Sequence, residues 1–80
     1  MSTIKLIWDF RGPAAKGTAE HHIVHLNEFT TREGIENRGT GILEHSEMFC
    51  SAWLCVPEAD MLTVRDALRP QRGQRVASDS

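Results

Sequence analysis

The sequence predicts an α+β domain in which two helices cover one face of an antiparallel sheet, in the order strand, helix, strand, strand, helix, with room for a short terminal strand. Three observations predict it. Ile4, Leu6, Trp8 and Phe10 alternate with Lys5, Ile7 and Asp9, the period-two pattern of a strand. Beyond Arg11-Gly12-Pro13, apolar residues recur at helical spacing as far as Gly34. The run Met48 to Val56, MFCSAWLCV, is almost continuously apolar and suits a strand covered on both faces.

The first strand runs from Thr3 to Phe10, with one face fully apolar and the other mixed. Proline lacks an N–H that the first turn of a helix could not pair anyway, so a helix is expected from Pro13 to Glu33. At 100° per residue, Ala15, Ala19, His22, Ile23, Leu26 and Phe29 gather on one stripe. Lys16, Glu20, Asn27 and Thr31 fall near the far side, with Val24 an exposed exception. Gly34 is a natural residue to end that helix in the left-handed conformation.

Gly39 and Gly41 bracket Thr40 and open a second strand, Gly39 to His45, joined to the third through His45-Ser46-Glu47. That turn lacks the Asn-Gly or Asp-Gly signal of a tight hairpin. On the third strand Met48, Cys50, Ala52, Leu54 and Val56 share one face, and Phe49, Ser51, Trp53 and Cys55 the other. Pro57-Glu58-Ala59-Asp60 starts a second helix, its acidic residues placed where the macrodipole favours them. Met61, Leu62, Val64, Arg65 and Leu68 form its stripe up to Arg69-Pro70. Val76 marks the optional edge strand, which makes residues 1–76 a single domain and 77–80 a frayed tail.

Composition bounds the function. Eighty residues, 40% hydrophobic, 25% charged and with net charge −2, form one small domain. At this length folding buries only about 60–65% of the unfolded surface, so partner surface is expected. Two helices leave nothing for the second face of the sheet, and the Phe49, Trp53 and Cys55 face therefore predicts a sheet-face homodimer. No apolar run is long enough to span a membrane and no signal-peptide pattern is present, so the expected setting is cytoplasmic, without a membrane partner. A pI near 6.0 argues against a nucleic-acid partner. Cys50 and Cys55, five apart on one strand, point to opposite faces and cannot bridge each other.

The element order resembles the ferredoxin-like plait and, with a sheet-face dimer, the dimeric α+β barrel superfamily. The local likeness is to YciI-like proteins and, more distantly, to the small antibiotic-biosynthesis monooxygenases. It is carried by IKLIWDF, by His25-Leu26-Asn27-Glu28-Phe29 running to Gly34, by SAWLCV and by EADMLTVRDAL. The resemblance implies a pocket between helices and sheet that uses a His–Asp pair, with His25-Leu26 as the matching dipeptide and Asp9 as the carboxylate on geometric grounds.

Three of the four histidines sit in His21-His22-Ile23-Val24-His25, and imidazole is the side chain that changes charge near neutral pH. His22 lies mid-stripe, so it is either a satisfied core residue or the acid–base group of a cavity. His25, at the edge of the stripe, can reach a pocket mouth where Asp9 would orient it. His21, His25 and Glu28, at i, i+4 and i+7, share one flank and are candidate metal ligands, with water or His45 in the fourth position; a solvated face is the simpler reading.

Trp8, Trp53 and Phe49 together exceed the two aromatics that a core this small needs, so one Trp is expected in a dimer interface or a pocket wall, with a flat ligand stacked on Trp8 or Trp53 as the sharper alternative. Arg69, with Arg72, offers an anion site, although the dipole at the helix C-terminus also explains Arg65 and Arg69. There is no G-x-S-x-G, no Cys-x-x-Cys and no glycine-rich phosphate loop. The leading expectation is thus binding or transformation of a small organic molecule in a His-containing pocket with no cofactor. The alternatives are a non-enzymatic dimerisation or regulatory module with structural histidines, and a His-x3-His metal-binding protein.

Overall fold

A computed structural model describes residues 2–76, and the tail expected to fray, 77–80, lies outside the described residues. The strands are β1 (Thr3–Arg11), β2 (Thr40–Ser46), β3 (Phe49–Pro57) and β4 (Arg72–Val76). The helices are α1 (Ala15–Glu33) and α2 (Met61–Leu68), the latter entered through a 3-10 turn at Glu58–Asp60. They form one four-stranded sheet in the order β2-β3-β1-β4, every neighbouring pair antiparallel. This is an α+β fold whose element order, β-α-β-β-α-β, is compatible with a ferredoxin-like plait.

Register explains which residues meet. Ile4 pairs with Val56, Leu6 with Leu54, Trp8 with Ala52 and Phe10 with Cys50, so the even-numbered residues of both central strands face the helices. Leu26 and Phe29 of α1 and Val64 of α2 close that core over Ile4, Leu6, Trp8, Leu54 and Val56. Nearer the start of α1, Ala15 and Ala19 let the helix settle against Cys50 and Ala52. The odd-numbered residues, Lys5, Ile7 and Asp9 with Ser51, Trp53 and Cys55, lie on the face away from the helices.

Local chemistry sets the boundaries. α1 starts at Ala15, two residues after the expected Pro13, and no side chain caps it. At its other end Gly34 takes φ 68, its N–H reaches Thr31 O, and Ile35 N–H reaches Thr30 O at 2.9 Å, satisfying two orphan carbonyls. α2 is shorter than its sequence stripe suggested: Val64 is its one buried residue and Leu62 is 52% exposed. Trp8 Nε1 donates to Leu68 O at 2.8 Å and ties the end of that helix to the sheet.

The edge strand anticipated around Val76 forms from Arg72 and pairs with β1, although all five of its residues are exposed. Both cysteines are free and buried, on the opposite faces expected of them. Trp53 explains the glycines of β2: a Cβ at Gly41 would stand 2.8 Å from Trp53 Cζ2, and one at Gly39 (φ 141) 3.4 Å from Cζ3. Among the described residues no helix is long and apolar enough to cross a membrane.

Candidate functional site

The richest polar arrangement lies on the helix-free face of the sheet. Ser51, on central strand β3, is 1% exposed, and its hydroxyl donates to Asp9 Oδ1 of β1 at 2.6 Å. His45 Nε2 stands 2.9 Å from the same hydroxyl oxygen. Since the Ser51 proton is committed to Asp9, His45 is the donor in that contact, which leaves its Nδ1 lone pair free. On the other side Arg72 of β4 donates to Asp9 Oδ1 at 2.8 Å, and the Asp9 backbone N–H donates to Gln71 Oε1 at 2.9 Å. The result is one chain, His45–Ser51–Asp9–Arg72, strung across four strands.

Each member is held by its strand. Asp9 and Ser51 are direct register partners. His45 reaches them because the β2–β3 ladder slips by one residue between Glu44 and Ser46, a bulge of the kind that re-aims a side chain. Its ring stacks on Phe49 at 4.3 Å, and the Arg11 guanidinium covers the other member of that pair, 4.0 Å from the Phe49 centroid. The Ser51 hydrogen bond foremost, then the charges of Arg72 and Arg11, hold the Asp9 carboxyl below its ordinary value against the opposing effect of burial.

Beside this chain is a cavity of about 130 Å³, lined among others by Lys5, Ile7, His45, Ser51, Trp53 and Arg72. Two cations and one aromatic face bound it, with Lys5 Nζ lying 4.7 Å over the Trp53 ring. Ser51 is no activated nucleophile, because its proton points at Asp9 and not at His45. The arrangement instead presents an oriented imidazole whose developing charge Asp9 can stabilise through Ser51. Comparison with protein-family models, with curated proteins and with solved structures finds no match.

The residues anticipated from sequence are distributed over several places. Asp9 is in this chain, but on the opposite side of the sheet from α1, so it pairs with neither His22 nor His25. His22 packs under α1 against Trp8 (4.9 Å) and Phe10 (5.4 Å), its Nε2 buried without a partner. Burial, with the charges of His25 and His21, holds its pKa below the ordinary value. Trp8 is core, 4% exposed, whereas Trp53 lines the cavity. Arg69 caps α2 in a left-handed conformation, φ 50, and is not part of the Asp9 network that Arg72 joins.

His21 and His25 do meet, with Nε2 atoms 3.0 Å apart, and Glu28 Oε1 lies 3.7 Å from Nδ1 of His25. Glu28 thus touches the far side of the His25 ring instead of completing a three-ligand set. Among the described residues no group of three or more His, Cys, Asp or Glu is arranged to hold a metal. Nor is His45 available as a fourth ligand, since it is engaged with Ser51 on the helix-free face.

Proposed function

We propose that this chain is a sheet-face homodimer that binds a small organic anion between the two sheets and offers it the His45 imidazole as an acid–base group. The observation that carries this reading is the His45–Ser51–Asp9–Arg72 chain on the face that no helix covers. Four strands spaced about 4.8 Å apart and averaging about 25 Å in length present roughly 500 Å² per copy, and two copies reach the ~1,000 Å² that a specific interface needs. Phe49, Trp53 and Leu43 supply the apolar contact on that face.

Charge argues for what lies between the copies. Lys5 and Arg72 line the cavity while Asp9 neutralises one of them, so apposed faces would repel unless an anion sat in the gap. A planar carboxylate fits that cavity: Lys5 and Arg72 take its charge, and Trp53 takes its ring. The resemblance to the dimeric α+β barrels supports this quaternary reading by analogy alone. His22 packs on two aromatics on the other face of the sheet, with its Nε2 buried and unpartnered, and takes no part in this site.

Sedimentation equilibrium at micromolar concentration checks the dimer: twice the 9.0 kDa chain mass is expected, and a stable monomer overturns it. Benzoate, titrated into the protein and followed by backbone amide shifts, checks the site. Shifts at Lys5, His45, Ser51 and Arg72 that disappear in Arg72→Gln are expected. Shifts confined to the α2–β4 side, or none, would refute the assignment.

A further inference from the structure

Outside that site, one cluster brings together side chains whose chemistry is specific: His21 and His25 on the solvent-facing flank of α1. The two residues are one turn apart, which sets their rings side by side. The separation of their Nε2 atoms, 3.0 Å, is a metal-chelate distance as much as a hydrogen-bond distance. Metal–imidazole bonds of about 2.0–2.1 Å meeting at a right angle place two nitrogens about 2.9 Å apart, whereas a tetrahedral angle requires about 3.3 Å. The observed spacing matches the right angle.

We infer that His21 and His25 form a two-imidazole chelate for a divalent ion of square or octahedral preference, copper(II) above all, with Glu28 as a positioning residue. The two Nε2 atoms lie 3.0 Å apart, so a cation bound to both takes the place of the proton that now joins them. Glu28, 3.7 Å from Nδ1 of His25, favours the tautomer that carries hydrogen on Nδ1 and leaves the Nε2 lone pair for the metal. Exposure helps, because the ion keeps water in its remaining positions and no desolvation of the site is needed. Copper(II) stands above nickel(II) and zinc(II) for nitrogen donors of this kind. Such a site holds its ion with most of the coordination sphere open, ready for an exogenous donor.

The test uses the full chain free of any affinity tag, titrated with copper(II) chloride and followed by calorimetry and by electron paramagnetic resonance. One equivalent is expected to bind with two equatorial imidazole nitrogens. His21→Ala and His25→Ala should each weaken binding by more than about tenfold, since loss of a ligand exceeds the about tenfold effect of losing its orienting carboxylate. Glu28→Gln should weaken it by about tenfold, the low end of the about 10–100-fold that loss of an orienting partner costs, and His45→Gln should leave it unchanged. Binding that survives His21→Ala at wild-type affinity, or that disappears in His45→Gln, overturns the assignment. Circular dichroism of each variant shows that α1 is intact, so loss of binding reads the site and not the fold.

Discussion

Replacing Ser51 with alanine removes the hydroxyl that joins Asp9 to His45 while hardly changing side-chain volume. The hydrogen bond it breaks ends on a carboxylate at 2.6 Å, and such bonds contribute about 1.5–3 kcal/mol. Asp9 keeps a fifth of its side chain in water, which places the expected loss at the lower end, about 1.5 kcal/mol. An 80-residue domain has about 4–12 kcal/mol in all, and a urea slope near 1 kcal/mol/M turns this loss into a midpoint shift of about 1.5 M. The effect depends on pH with a definite sign. Ser51 lowers the Asp9 pKa in the fold, so its contribution is complete above the ordinary carboxyl value of 3.8 and disappears as pH falls through the folded value. Urea titrations of both proteins at neutral pH and at a pH below the ordinary carboxyl value of 3.8 should therefore give a larger difference and then a smaller one. A double-mutant cycle with Asp9→Asn should show coupling well beyond the ~0.5 kcal/mol of independent sites. Equal losses at the two pH values, or additive ones, would refute the claim that Ser51 serves the Asp9 carboxylate.

Three further outcomes follow from packing on the two faces of the sheet. Val64 is the single buried residue of α2, so Val64→Ala, which deletes two methyl groups and leaves a void, should cost about 2 kcal/mol. Trp8 fluorescence should shift to the red as the Leu68 carbonyl moves off its indole. Gly41→Ala puts a Cβ 2.8 Å from Trp53, and the ring must slide toward the open face, at about 1 kcal/mol, with a change in Trp53 emission in the same titration. Burial first, then His25 and His21, depress the His22 pKa, so the unfolded chain takes up that proton first. Stability is then complete above the unfolded value near 6.5 and declines below it. Thermal scans from about pH 7.5 to 5 should show this decline, and His22→Leu should flatten it.

Alternation made the two faces of β1 and β3 legible before any coordinates: Ile4, Leu6, Trp8 and Phe10 do face the helices, and Phe49, Ser51, Trp53 and Cys55 do not. The same parity rules out the expected pairing of Asp9 with the histidines of α1, because residues 8 and 9 of a strand cannot point the same way and Trp8 faces the helices. The helical stripe identified Leu26, Phe29 and the two alanines of α1. It overstated α2, where a 3-10 entry turn takes up residues and exposes Leu62. β4 carried almost no signal, since an edge strand that buries nothing needs no apolar pattern.

The candidate site was hidden for a different reason. Its four members come from four strands and are separated by 36 positions between Asp9 and His45 and by 27 more to Arg72, spacings that mean nothing until the strand order is known. Ser51 looked like a gap in an apolar run, and only its register against Asp9 turns it into a donor. His45 looked like part of a polar turn, and only the bulge beside it turns the ring inward to Ser51. Helical neighbours such as His21 and His25, by contrast, are read directly from i, i+4 spacing, because within a helix sequence distance is spatial distance. A sheet-built site depends on pairing, and pairing in this chain rests on apolar residues of the opposite face. The packing of Leu6, Leu54 and Leu26 in the core is what lines up Asp9 with Ser51 on the other side of the sheet.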